Sequence, residues 1–293
     1  MLLGRGDAVP VSAASFEFDG KFYRGTYRQS DDGEIVNLVG LEEYLYSVVS
    51  REMPAGWPPD ALEAQSVCSR TYVLQRSDPR RAYDLVPSEL DQRYDGIDGE
   101  TPSGVAAVDA TTGQVLSFSG AFAQVAYSSC CGGHTESSSD AWGNATRPYL
   151  AGVVCTSCSD SPNYRWDRSL RFDTLSTRLA PALATFGNLE DLRVAARDAS
   201  GRARAFELVT DRGSTTVAGS AFRRAIGPRV LPSLLLNSVE RTPDGAAVRI
   251  DGSGLGHGVG LCQWGARGMA LSGSAASAIL AFYFPGTVVD DLT

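Results

Sequence analysis

Apolar and polar positions alternate with a period of two between residues 14 and 39, where Phe16, Phe18, Phe22, Tyr23, Tyr27, Ile35, Val36 and Leu38 fall. That rhythm predicts short strands, with Asp19-Gly20 and Asp31-Asp32-Gly33 as the turns between them. After Gly40 the period changes. Leu41, Tyr44, Leu45, Val48 and Val49 recur at helical spacing, and Pro54 closes that helix by disfavouring helical backbone at Met53. A second helix is predicted from about Pro59 to about Arg76, with Ala61, Ala64, Val67, Cys68, Thr71 and Leu74 on one face. Residues 82–97 read as extended, Thr101 to Thr112 as a short helix, and Val115–Ser129 as two strands around Ser119-Gly120.

A cysteine-bearing loop region then runs to about Pro162. Residues 169–230 change character: helix, strand over Leu192–Ala196, a Ser200-Gly201 turn, strand over Ala205–Thr210, and helix after Gly219. They are a candidate inserted small α+β subdomain. Strands near Leu234–Ser238 and Ala247–Ile250 lead into a glycine-rich loop and C-terminal helices. Without a βαβ rhythm, the fold class expected is α+β, a mixed sheet-and-helix core, with residues 1–13 as an N-terminal tail.

Composition narrows the classes. The 293 residues exceed the roughly 100–200 of an average domain, so one large or two intimate domains fit. With 43% hydrophobic and 20% charged residues, coiled coil, collagen and wholesale disorder are excluded. No run approaches the ~20 apolar residues of a spanning helix, so no transmembrane segment is expected. A net charge of −8 lacks the basic excess of a general nucleic-acid binder. Lys21 is the single lysine among 26 Lys and Arg residues. Arg suits bidentate carboxylate recognition better than Lys does, but a composition bias is the better account of the count. The N-terminal stretch lacks the apolar core of a secretory signal, so the chain is either cytosolic or trimmed ahead of Met1.

Among the carboxylates, Glu52 is the most informative. Helical spacing puts it on the apolar face of its helix, at the end, beside Met53, Pro54 and Trp57. A carboxyl so placed should have a raised pKa and be able to hold a proton near neutrality. The alternative is a helix-end Glu paired with Arg51 or Arg70. Cys131-x2-His134 followed by Cys155-x2-Cys158 gives two close-spaced ligand pairs, the arithmetic of a zinc knuckle. A disulfide between the clusters, or free thiols with His134 facing solvent or substrate, fit the same spacing. Cys68 and Cys262 read as core residues. His257 lies in a run of glycines, Gly252 to Gly260, whose backbone can approach a ligand closely and present one imidazole. No register there gives GxGxxG, and there is no GxxxxGK[ST]. Ser128, Ser129 and His134 lack a nucleophile elbow, and Cys262 lies too close in sequence to His257 for a ready thiol–imidazole pair.

Three stretches together carry a resemblance. They are Val48 to Pro58 with Glu52-Met53-Pro54 inside it, continuing through Ala61-Leu-Glu-Ala-Gln65 and Arg70-Thr71-Tyr72; Tyr127-Ser-Ser-Cys-Cys-Gly-Gly-His-Thr-Glu136 with Trp142-Gly143; and Gly256-His-Gly-Val-Gly260 with Cys262-Gln-Trp-Gly-Ala266 and Tyr283-Phe-Pro-Gly286. In order and spacing they resemble the stage II sporulation protein D family, from about Phe16 to the C-terminus. On this resemblance 14–293 is one catalytic domain.

The resemblance implies a lytic transglycosylase that cleaves peptidoglycan glycan strands between N-acetylmuramic acid and N-acetylglucosamine, leaving 1,6-anhydro ends. The family's catalytic glutamate falls on Glu52, the single general acid and base. Arg70, Gln92, Tyr94, Ser128, Ser129, His134, His257 and Gln263 are candidate substrate-binding residues by motif position. Arg70 and Arg267 are the cations expected to meet substrate carboxylates. Members that bind zinc carry Cys and His before a Gln-x-Tyr segment; here Pro87 to Tyr94 has neither, so that site is not carried over. A structural zinc is expected instead at Cys131, His134, Cys155 and Cys158, and the chemistry itself needs no cofactor. Two further readings stay open: a glycan-binding amidase enhancer, partnered by a cell-wall amidase, and a zinc-dependent hydrolase using His134 and His257. The family works in the cell envelope, outside the cytoplasmic membrane, which implies a signal or anchor ahead of Met1.

Overall fold

The computed structural model describes residues 1–292 apart from 7, 89 and 184–186. It is an α+β protein whose chain divides into two compact units. The first comprises Met1–Ala126, Met269–Ala281 and Gly286–Thr293; the second comprises Tyr127–Gly268 and Phe282–Pro285.

The first unit opens with six short strands, β1 (Leu2–Arg5), β2 (Ala8–Ser12), β3 (Ser15–Phe18), β4 (Lys21–Arg24), β5 (Thr26–Gln29) and β6 (Glu34–Leu38). They form two antiparallel sheets, ordered β2-β3-β4 and β1-β6-β5. Residues 1–13, expected as a tail, therefore contribute two strands. Asp19 and Gly20 have φ of 52° and 72° between the paired residues Phe18 and Lys21. A two-residue loop with both φ positive matches the twist of the strands it joins.

Helix α1 (Leu41–Glu52) buries Tyr44, Leu45, Val48 and Val49, as the spacing requires. Met53 is extended, with φ −128° and ψ 141°, because Pro54 follows it. Helix α2 (Pro59–Arg76) begins with proline in its first turn, where the missing N–H goes unused. The segment 82–97, expected to be extended, is mostly irregular and enters a 3-10 turn at Gly96–Gly99. Thr101 caps α3 (Pro102–Ala110), its hydroxyl accepting from the Gly104 N–H at 3.2 Å. Strands β7 (Gln114–Phe118) and β8 (Ala121–Phe122) form a hairpin on Ser119-Gly120, again with both φ positive.

The second unit holds β9 (Tyr127–Ser128), α4 (Ser138–Trp142), β10 (Trp166–Arg171), α5 (Phe172–Arg178), α6 (Ala180–Leu183), β11 (Leu189–Arg197), β12 (Ala203–Thr210), β13 (Gly213–Ala218) and α7 (Gly219–Ile226). It continues with β14 (Leu235–Arg241), β15 (Ala247–Ser253), β16 (Leu261–Cys262) and the greater part of α8 (Gln263–Leu271). Strands β11-β12-β13 and β10-β15-β14 are antiparallel sheets around one core that includes Trp166, Phe206, Phe222, Leu231, Val248 and Ile250. That core extends past both ends of the segment 169–230, of which 184–186 lie outside the described residues. Helix α9 (Ala276–Tyr283) follows, and β17 (Val288–Asp291) pairs with β7.

Candidate functional site

Glu52 is the last residue of α1 and is half-buried. The backbone N–H of Arg93 donates to its Oε1 at 3.2 Å. Its charge lies close enough to Tyr44 and Tyr72 to help raise their hydroxyl pKa values, behind burial as the main cause. Asp91 acts on the same two tyrosines. It is tied down by Tyr72 Oη at 3.1 Å, Arg76 at 3.1 Å and the Val86 N–H at 3.0 Å. The helix end thus presents a partly exposed carboxylate near Tyr44 and Tyr72.

Three expected substrate contacts belong to the interior of this unit instead. Arg70 is wholly buried, and its guanidinium donates to both Glu42 carboxylate oxygens, at 2.8 and 2.6 Å, and to the Gln114 carbonyl at 2.9 Å. Gln92 is equally buried, accepting from Tyr44 Oη at 3.0 Å and donating to the Ser69 carbonyl at 3.3 Å. Tyr94 donates to Asn37 Oδ1 at 2.8 Å, its ring 4.9 Å from that of Tyr44. These groups buttress α1 and α2 and have no surface to offer a glycan. Motif position identified them; in this structure their polar groups are turned to partners inside the unit.

In the second unit, Ser128 lies on β9 and its Oγ accepts from the Gly258 N–H at 3.2 Å. The Ser129 carbonyl accepts from the Trp264 N–H at 3.0 Å. Gly256 and Gly258 have φ of 109° and 84°, and a Cβ on Gly256 would come within 2.8 Å of Ser128 Cβ. The loop carrying His257 thus needs glycine on either side of it, at 256 and 258. The imidazole accepts from the Val259 N–H at 3.0 Å through Nδ1 and lies 5.3 Å from the Trp142 ring, centroid to centroid. His257 is half-buried as a residue, and desolvation lowers its pKa to about 4, so it is neutral at pH 7. Gln263 starts α8 and is buried. Ser128 and His257 thus meet at one glycine loop, while Ser129 is tied by its carbonyl to the start of α8. Arg267, the other expected cation, lies 3.4 Å from Asp160 and over the Trp264 ring.

The cysteines regroup. Cys131, Cys155, Cys158 and Cys262 are all buried, with their sulfurs within 4.8 Å of one another, and this set could hold a metal ion. Cys262, read as a core residue, takes the fourth place, and His134 does not. His134 is outside this set; its Nδ1 lies 2.6 Å from the Thr135 carbonyl. Cys68 is buried alone on α2, where burial pushes its thiol pKa up.

The sequence reading missed one constellation. Glu136 is buried beside Arg202, with Oε2 3.4 Å from Nε, while Arg202 also donates to the carbonyls of His134 and Cys131. Burial, then the neighbouring Asp198, push the Glu136 pKa up to about 8 against the pull of Arg202. Asp198 Oδ2 has no hydrogen-bond partner, which suits a protonated Glu136 beside it. The signal in the sequence is Glu136 itself, which closes the Tyr127–Glu136 stretch.

Fold and site define an α+β protein with one helix-end glutamate in its first unit, and a glycine-loop imidazole and a cysteine cluster in its second. The chain belongs to the stage II sporulation protein D family. The family model described as Stage II sporulation protein matches residues 29–118, and a Domain of unknown function (DUF8618) matches 156–260. An uncharacterized protein of Brachyspira hyodysenteriae is 31% identical over 260 residues, 88% of this chain and 68% of that one. The amidase enhancer of Bacillus subtilis is 28% identical over 84% of this chain, which spans 40% of the enhancer's length. Stage II sporulation protein D of the same organism is 27% identical, with 87% of this chain and 76% of that protein covered. Among the described residues, no helix is long and apolar enough to cross a membrane.

Proposed function

We propose that this chain is a peptidoglycan lytic transglycosylase acting in the cell envelope, with Glu52 as its single general acid and base. The observation that carries the reading is Glu52 itself: a half-buried carboxylate at a helix end, held by the Arg93 N–H, with the nearby Asp91 already committed to three donors. One carboxyl suffices for this chemistry. As an acid, Glu52 protonates the glycosidic oxygen leaving the anomeric carbon of N-acetylmuramic acid. As a base, it then takes the proton of the sugar's own C6 hydroxyl while that oxygen closes the 1,6-anhydro ring. Ordinary glycosidases need a second carboxylate for water or for a covalent intermediate, and here the substrate supplies the nucleophile. The Arg93 N–H steadies the carboxylate.

A second reading has its own support in the similarity to an amidase enhancer: a glycan-binding module that activates a cell-wall amidase. It uses the same glycan specificity without proton transfer at Glu52. Incubating the chain with purified glycan strands, intact and stripped of stem peptides, and analysing product ends by mass spectrometry separates the two. Anhydro-ended fragments support the transglycosylase; reducing ends, indicating hydrolysis, overturn it. Intact strands that are bound but uncut, with a cell-wall amidase stimulated on addition of the chain, favour the enhancer.

A further inference from the structure

We infer that Cys131, Cys155, Cys158 and Cys262 form a structural zinc site that fastens the His257 loop to the strand carrying Ser128. The inference does not depend on the activity proposed above.

Spacing comes first. The Cys131 and Cys158 sulfurs are 3.6 Å apart, and all four lie within 4.8 Å of one another. A tetrahedral ion with Zn–S bonds of about 2.3 Å places its sulfurs roughly 3.8 Å apart. A disulfide would hold its two sulfurs at about 2.05 Å. An iron–sulfur cluster needs space for several iron and sulfide atoms between the thiolates, and this set is too tight for that.

The surroundings point to thiolates rather than thiols. The N–H groups of Cys131 and Gly265 both aim at Cys262 Sγ, at 3.2 and 3.3 Å. Tyr283 Oη lies 3.1 Å from Cys155 Sγ, and a thiolate there makes the hydroxyl the donor. Donors directed at sulfur offset the negative charge that four thiolates leave on a divalent ion. Close packing keeps water out: a Cβ on Gly265 would reach 2.8 Å from Cys155 Sγ and overlap the Tyr283 hydroxyl.

The ligands come from three separate stretches. Cys131 follows β9, the Cys155-x2-Cys158 turn packs under α8, and Cys262 ends β16 just after the His257 loop. Strands β9 and β16 pair over only two residues each, Leu261 with Tyr127 and Cys262 with Ser128. So short a ladder holds poorly alone, and a metal bridging Cys131 to Cys262 fastens its C-terminal end, where Cys262 pairs with Ser128. Four protein ligands leave no open position, so the role is structural.

The test is metal analysis of the full chain purified under reducing conditions. About one zinc per chain is expected, and cobalt in its place should give the intense sulfur-to-metal charge-transfer absorption of a tetrahedral thiolate site. Cys262→Ser should lose the metal, while His134→Ala and Cys68→Ala should keep it. Should Cys262→Ser not fold, thiol alkylation of the wild type still decides: these four cysteines should be protected until the metal is stripped and reactive afterwards. Loss of metal in His134→Ala with retention in Cys262→Ser would overturn the ligand set. Disulfides mapped among the four, or no bound metal with all six thiols reactive, would overturn the site.

Discussion

Arg70 and Glu42 face each other across two hydrogen bonds, at 2.8 and 2.6 Å, with the Arg70 side chain entirely removed from solvent and Glu42 partly exposed. The pair joins α2 to the start of α1, and Glu42 also accepts from the Gly113 N–H at 3.3 Å. A guanidinium is retained there because its remaining donors reach the Gln114 and Val108 carbonyls.

Removing one partner of such a pair strands the rest of the network. Arg70→Met should lower unfolding stability by about 3 kcal/mol, since Glu42 can recover some hydration while the two carbonyls cannot. Denaturant melts should register this, with glycan affinity per folded molecule unchanged. Weaker binding at unaltered stability would instead give Arg70 the substrate role its motif position suggested.

Glu52→Gln keeps the shape of the side chain and can still accept from the Arg93 N–H, but it cannot shuttle a proton. Glycan cleavage should fall by a factor of about 10² to 10⁴ on the general acid–base scale, with strand binding and melting temperature retained. Cleavage surviving within a few-fold of wild type would remove Glu52 from the mechanism. Stimulation of an amidase that is indifferent to this substitution would favour the enhancer reading.

Local signals in the sequence reached the elements that local chemistry decides. The period change at Gly40 and the restriction Pro54 places on Met53 located α1 and put Glu52 at its end. Asp19-Gly20 and Ser119-Gly120 marked two of the tight hairpins, each with a glycine in one of its two positive-φ places. What stayed hidden depends on contacts distant in sequence. Cys262 looked like any buried cysteine until the fold delivered it to the Cys155-x2-Cys158 turn. Strand β13 escaped because Ser214, Thr215 and Thr216 break the apolar alternation, and only pairing with β12 makes it a strand. Arg70, Gln92 and Tyr94 show the converse limit: a motif position says which residue stands there, and burial says what it can touch.

Gly265 tests packing against propensity. It lies within α8, where alanine would ordinarily gain about 1 kcal/mol over glycine. Here the added methyl would overlap the Tyr283 hydroxyl and press on Cys155 Sγ. Gly265→Ala should therefore destabilise the protein, by about 1–3 kcal/mol on the scale of overpacked cores, read in denaturant melts. A variant as stable as wild type would mean that Tyr283 can swing aside and that the cysteine cluster is not tightly enclosed.

The buried pair of Glu136 and Arg202 makes a prediction about pH. With its pKa at about 8 in the folded protein, against 4.5 for an ordinary glutamate, Glu136 keeps its proton through neutrality while the unfolded chain releases it. The native state then binds more protons than the unfolded state in this window, so stability falls as pH rises from 4.5 toward 8. At about 1.4 kcal/mol per pH unit the loss has a ceiling of roughly 5 kcal/mol. His257 acts in the opposite sense at lower pH. Its pKa of about 4, below the ordinary 6.5, makes stability fall as pH drops between those values. Subtracting the melting profile of Glu136→Gln from that of wild type cancels the histidine and isolates the carboxyl, because the amide does not titrate and can still donate to Asp198. The difference should favour wild type most in acid and shrink steadily to pH 8. A difference that is flat across the range would mean that Glu136 is ionised throughout, as the direct partner of Arg202.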